Sequence, residues 1–227
     1  MNIHHTMTAQ EAIRSRRSIR RFLPDAVPRA TIEAILELAG RTPSGNNIQP
    51  WHVVVLTGDK LRELTGRLHA RFMAGDHGDW PYNYYPQAWR EPYLARRRRV
   101  GIDLYRSLGL GKDDKAGMAA QHARNFTFFD APVGLFFALD RDMELGSWID
   151  LGMFIQTVMI AARGFGLDTC PQAAFATYHA EIEAFTGLAP DKRLVCGMAL
   201  GVADMSAPEN LIHVEREPVE RFTTFLD

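Results

Sequence analysis

Two short segments of this chain gather the side chains that could bind an anion and a polar heterocycle. Arg16-Arg17-Ser18-Ile19-Arg20-Arg21-Phe22 places four guanidinium groups and a hydroxyl within seven residues. A guanidinium is permanently charged and planar, so it grips phosphate oxygens through paired hydrogen bonds, and the serine hydroxyl adds one more. In an extended chain Arg16, Ser18 and Arg20 share one face, while Arg17, Ile19 and Arg21 share the other. A basic, solvated helix end also accounts for these residues. In Pro43-Ser44-Gly45-Asn46-Asn47-Ile48-Gln49-Pro50-Trp51, Pro, Gly and Asn form turns, and each Asn or Gln amide offers a donor and an acceptor. Those groups match the alternating C=O and N–H edge of a flavin's pyrimidine ring. An ordinary loop anchored by Trp51 explains the same residues. Taken together, the two segments supply what the phosphate and ring of FMN require.

The elements that would position them are legible from periodicity. Thr8-Ala9-Gln10-Glu11 has the form of a capping box, which predicts a helix running up to Arg16. Ile32, Ile35, Leu36 and Ala39 make one apolar helical stripe, and Leu61, Leu64, Leu68 and Phe72 make another. Between these helices, residues 52–56 read as a strand, and residues 132–139 and 194–200 as buried strands. Ser147 to Phe165 reads as a helix opened by a Ser147-x-x-Asp150 cap and apolar on nearly every side, which suits a core or a subunit interface.

The chain has 227 residues, of which 46% are hydrophobic, and no linker or internal repeat. This is enough to bury the core of one domain, residues 1–227. A net charge of −1 argues against a dedicated nucleic-acid binder. The N-terminus lacks the apolar stretch of a secretory signal, and no run of about 18 apolar residues is present to span a bilayer, so a cytoplasmic protein without membrane partners is expected. Cys170 and Cys196 are the two cysteines and read as buried thiols; no metal site is expected, and His4 and His5 read as a mobile end.

Two further stretches complete a set of four motifs: Gly166-Leu167-Asp168-Thr169-Cys170-Pro171-Gln172-Ala173-Ala174-Phe175, and Cys196-Gly197-Met198-Ala199-Leu200-Gly201 followed by Asn210 and Arg216-Glu217-Pro218. In this order and at these separations the chain resembles the FMN-dependent nitroreductase family, in its nitrobenzoate and nitroaromatic reductase branch, over nearly its whole length. The resemblance implies an α+β, nitroreductase-like fold, with a central mixed, mainly antiparallel sheet flanked by helices. It also implies an intertwined homodimer, in which the helix from Ser147 contacts its partner and residues 209–227 wrap onto the other subunit. It assigns the FMN phosphate to Arg16, Ser18 and Arg216, with Arg17 as a further contact, and sets Arg20 near the ribityl chain and the N1/C2 carbonyl edge. Pro43, Ser44, Gly45 and Asn47 would come from the partner subunit, and a turn at Pro171, Gln172, Ala173 and Ala174 would present a backbone N–H to flavin N5. Hydride would pass from NADPH or NADH through flavin N5, with no catalytic side chain, to a small-molecule electron acceptor sharing the same face. A nitro group would go to nitroso and then hydroxylamine, with quinones or enones as alternative acceptors.

Residues 76–93 carry Trp80, Tyr82, Tyr84, Tyr85, Trp89 and Tyr93 between prolines, without a period. Such a stretch suits a lid or wall over a flat substrate, here Tyr82, Tyr84, Tyr85 and Trp89, and equally suits a surface or interface cover. Arg96-Arg97-Arg98-Arg99 reads as a solvated helix face. A basic module that uses both Arg clusters on nucleic acid or an anionic surface stands as a reading of a different class.

Overall fold

Thr8 caps helix α1 (Ala9–Ser15) with both expected bonds: Glu11 N donates to Thr8 Oγ1 at 3.3 Å, and Thr8 N donates to Glu11 Oε2 at 2.8 Å. The computed structural model describes residues 7–226, so His4 and His5 lie outside the described residues. After α1 the chain runs without a helix to α2 (Arg29–Ala39), β1 (His52–Thr57) and α3 (Gly58–Met73). Then follow α4 (Tyr93–Ser107), α5 (Lys115–Ala123), β2 (Val133–Asp140), α6 (Leu145–Gly164), β3 (Asp168–Gln172), α7 (His179–Thr186) and β4 (Lys192–Gly201).

The sheet order is β1-β2-β4-β3, and every ladder is antiparallel. The expected mixed character comes down to one isolated parallel bridge, Ser18 to Thr169. Core packs on both faces. Phe136 points to one side with Leu61, Leu64, Leu68, Phe126 and Phe175. Its neighbours Leu135 and Phe137 point to the other, against Ile32 and Ile35 of α2 and Phe154 and Val158 of α6. This is strand alternation with both faces covered, and each fully buried Leu, Ile or Phe contributes about 1.5–3 kcal/mol of transfer free energy. Gly197 joins two of the sequence motifs, because a Cβ there would stand 2.5 Å from Phe175 Cδ2.

The Ser147 cap is corrected. α6 starts two residues earlier, at Leu145 after Glu144, and Ser147 lies inside it with its hydroxyl on Met143 Sδ. Asp150 is used elsewhere, because its carboxylate accepts from Gly45 N at 3.2 Å. α6 also passes for a membrane span by length and composition, with a mean hydropathy of 1.4 over its best window. Counting uninterrupted apolar residues misses it, since Asp150, Gln156 and Arg163 break the run. One side of α6 packs on α2 and the sheet, while Leu145, Ile149 and Met153 form an exposed stripe.

Candidate active site

Arg16 follows the C-terminus of α1 in an extended conformation, and Ile19 N donates to Thr169 O at 3.1 Å, which lays the segment along the outer edge of β3. Ile19 and Phe22 are buried in the core. Arg16, Ser18 and Arg20 are half-buried and gather around the Cys170 thiol, which burial pushes up to about 11 although Arg20, Ser18 and Arg16 pull it the other way. Arg20 N donates to Asn210 Oδ1 at 2.6 Å, and its guanidinium donates to the Ser18 carbonyl at 3.3 Å.

Arg216 reaches the same place from the far end of the chain. Burial first, and the Arg216 guanidinium second, hold Arg16 below the ordinary arginine value. Neither cation has a carboxylate partner among the described residues, and Arg216 donates only to the carbonyls of Val214 and Glu215 at 3.0 and 3.1 Å. A half-buried guanidinium beside a second, exposed one is unfavourable unless an anion lies between them. This donor set fits a phosphate.

Arg17 turns away from this cluster, with Nη2 3.8 Å from Met205 Sδ, and Arg21 pairs with Asp130 at 3.0 Å. The turn expected at residues 171–174 is the end of β3 running into a short 3-10 helix, Ala173–Tyr178. Gln172 is buried, and its side chain donates to Asn125 O at 2.7 Å. Ala173 and Ala174 open the 3-10 helix with no side-chain cap, and the first N–H groups of a helix have no partner within it.

One chain does not bring the second segment to this cluster. Gly45–Asn47 form a 3-10 turn in which Asn46 and Asn47 have φ of 49° and 59°, left-handed values that Asn tolerates. The turn is tied to the N-terminal half of α6, by Asp150 to Gly45 N and by Trp51 stacked on Phe154 at 4.6 Å. The Arg16 segment is tied to the other end, where Arg163 donates to Ser15 Oγ at 3.2 Å and to Asp168 Oδ1 at 2.7 Å. Asp150 and Arg163 are thirteen positions apart on one helix, which is about 20 Å. Pro43, Ser44, Gly45 and Asn47 are thus remote from Arg16 within the chain.

A sequence model of the Nitroreductase family matches residues 13–202. The chain belongs to the nitroreductase family. It is 40% identical over 217 residues to a 4-nitrobenzoate reductase of Nocardioides sp. (strain LMS-CY), covering 94% of this chain and 88% of that protein. It is 39% identical to a chloronitrobenzene nitroreductase of Comamonas testosteroni, covering 95% and 96% of the two chains. Among solved structures, the FMN and NADPH-dependent nitroreductase NfnB from Sphigopyxis sp. strain HMH superposes with a TM-score of 0.94 at 39% identity, covering 97% of this chain and 100% of that one. NfnB from Mycobacterium smegmatis, solved in complex with NADPH, gives 0.91 at 30% identity, covering 96% and 98%.

Within this nitroreductase fold the aromatic stretch is a run of ring contacts: Trp80 stacks on Tyr84 at 5.6 Å, Tyr84 meets Tyr85 edge-on at 4.6 Å, and Tyr85 meets Trp89 tilted at 5.3 Å. Trp80, Tyr84, Tyr85 and Tyr93 are exposed, whereas Tyr82 and Trp89 are half-buried, and Tyr82 is held from below. It packs edge-on against Trp148 at 4.8 Å, and its hydroxyl donates to Val195 O. Val195 is the bulge residue of β4: Cys196 pairs with Phe137 and Leu194 with Ala138, which leaves Val195 without a partner strand. The stretch begins beside the 3-10 helix that follows β3, where Asp79 N donates to Thr177 O at 2.9 Å. A groove of about 930 Å³ lined by Ile32, Leu36, Val55 and Leu61 contains none of the expected site residues.

Sequence reading missed the partners of three site-building features. Asn210 is buried and, besides Arg20, binds the carbonyls of Arg21 and Asp204 at 2.7 and 2.9 Å. Glu209 is buried under Arg124 at 2.7 Å. The four-arginine run is an exposed helix face, as expected, but it carries long-range contacts that the sequence did not show: Arg96 pairs with Glu217 at 2.8 Å and Arg97 lies 4.9 Å over Trp89. The Asn210 motif position was visible in the sequence, but nothing local marked its partners.

Proposed function

We propose that this protein is an FMN-dependent NAD(P)H oxidoreductase that reduces nitroaromatic compounds in two-electron steps, from nitro to nitroso to hydroxylamine. The convergence of Arg16 and Arg216 without an acidic partner carries this reading, and the nitrobenzoate and chloronitrobenzene reductases among its relatives favour the acceptor class. Residues 1–227 are read as one FMN-binding unit.

Arg16, Arg216 and the Ser18 hydroxyl would hold the phosphate, and Arg20, pinned by Asn210, would set a fixed cation at the ribityl chain and ring edge. The N–H groups of Ala173 and Ala174 would donate toward the ring, and Tyr82, Tyr84, Tyr85 and Trp89 would wall the acceptor. Bound FMN supplies the hydride chemistry itself. The protein's part is binding, orientation and charge, and no side chain needs to act as acid, base or nucleophile.

The working unit in this proposal is a homodimer. The 20 Å between the two halves of the site along α6 favours it: a two-fold axis near the middle of α6, with the exposed Met153 and Gln156 at the contact, would set the N-terminal half of one α6 against the C-terminal end of the other. That pairing would carry Gly45 and Asn47 of one subunit to Arg16 of its partner. It would also give a surface to the exposed tail residues Phe222 and Phe225. A cytoplasmic location belongs to the same reading.

The test is to purify the protein, record its absorbance, and follow anaerobic reduction by NADPH and reoxidation by 4-nitrobenzoate. A flavin spectrum, formation of the hydroxylamine and parallel double-reciprocal lines are expected. A colourless protein that takes up no FMN overturns the proposal, and turnover confined to quinones would replace the acceptor.

A further inference from the structure

Arg216 sits in a stretch that has little else to hold it. From Leu211 to Leu226 nearly every residue is exposed, and the backbone hydrogen bonds there are local turns such as Arg221 N to Pro218 O and Phe222 N to Val219 O. The long-range ion pairs of this stretch, among the described residues, both run to α4. Arg96 donates to Glu217 Oε1 from Nε at 2.9 Å and from Nη2 at 2.8 Å, and Arg99 Nη2 lies 3.6 Å from Glu215 Oε1.

The spacing on each side is that of matching faces. Arg96 and Arg99 are three apart on a helix and share a face; Glu215 and Glu217 are two apart in a non-helical stretch, where alternate residues face the same way. In that alternation the residue between them, Arg216, falls on the opposite side, and its Nη1 donates to the Val214 and Glu215 carbonyls. We infer that Arg96 and Arg99 are positioning residues, which hold Glu217 and Glu215 so that Arg216 is presented to Arg16 and to the phosphate between them. They also neutralise two carboxylates that would otherwise repel that phosphate. This inference rests on the FMN phosphate reading.

The experiment compares FMN with riboflavin, which lacks the phosphate, by titrating the flavin-stripped protein and following flavin fluorescence. Exposed ion pairs are weak individually, so Arg96→Ala and Glu217→Gln should each weaken FMN binding about threefold to fivefold and leave riboflavin binding unchanged. Glu217→Gln is the deciding variant: if Glu217 acted only as a charge near the phosphate, its removal would tighten FMN. FMN binding that is tighter or unaltered in Glu217→Gln overturns the inference, as does equal weakening of both flavins. Arg98→Ala, which removes a charge from α4 but no ion pair, should leave FMN affinity unchanged. Arg16→Ala runs in parallel. If it too leaves FMN affinity unaltered, the phosphate site itself falls; if it alone weakens FMN, only the positioning role falls.

Discussion

The main-chain amide of Arg20 donates to Asn210 Oδ1 at 2.6 Å, across 190 positions of sequence. Asn210 turns its own amide to the carbonyls of Arg21 and Asp204, so one buried side chain ties the cationic segment to the chain that leaves β4. Removing it would leave the part-buried Arg20 N–H without a partner, at about 1–3 kcal/mol, and take one hydrogen bond each from the Arg21 and Asp204 carbonyls, which keep Asp204 N and Ala207 N. Asn210→Ala should therefore lower stability by roughly 2–3 kcal/mol, or about 5–10 °C in Tm, and weaken FMN retention with it. Thermal unfolding within 1 °C of the parent would show that the network contributes nothing.

Arg16 and Arg216 should behave as one site. A hydrogen bond to a charged group contributes about 1.5–3 kcal/mol, so Arg16→Ala or Arg216→Ala should each cost roughly 10-fold to 100-fold in FMN affinity while the protein stays folded. The double variant should lose less than the sum, because neighbouring groups on one phosphate couple. Strict additivity, measured by flavin titration, would mean that they act on different groups.

Tyr82 and Trp89 should separate anchor from wall. Trp89→Ala should change relative rates among nitroaromatics of different size and leave FMN content intact. Tyr82→Phe should instead cost about 1 kcal/mol of stability, through the Val195 carbonyl it leaves unpaired. Uniform rate loss with every acceptor in Trp89→Ala would return the stretch to a surface cover.

Burial pushes Cys170 up to about 11 and Cys196 to about 12. Both thiols should resist alkylation at pH 8 in the native protein and react fully once it is unfolded. Because the folded pKa values are raised, the protonated thiols contribute stability below the ordinary thiol pKa of about 8.5, and that stability is lost as pH rises toward 11. Denaturant midpoints measured from pH 8 to 10.5 should fall less steeply in Cys170→Ala than in the parent. Identical slopes would remove Cys170 from this account.

What the sequence by itself determined is what depends on near neighbours. The Thr8 cap, the buried stripes of α2 and α3, the strands and the shared face of Arg16, Ser18 and Arg20 follow from spacings of one to four residues, which backbone geometry sets. Motif order was enough to imply the family. Tertiary structure alone decided the pairings whose partners are far apart in sequence. Asp150 serves Gly45 rather than an α6 cap, and Tyr82 closes the Val195 bulge. Arg96 and Arg99 pair with Glu217 and Glu215 across the surface. No local pattern encodes such contacts, because a carboxylate, a phenol or a guanidinium has many possible partners in a chain of this length, and packing of the sheet and α6 selects among them.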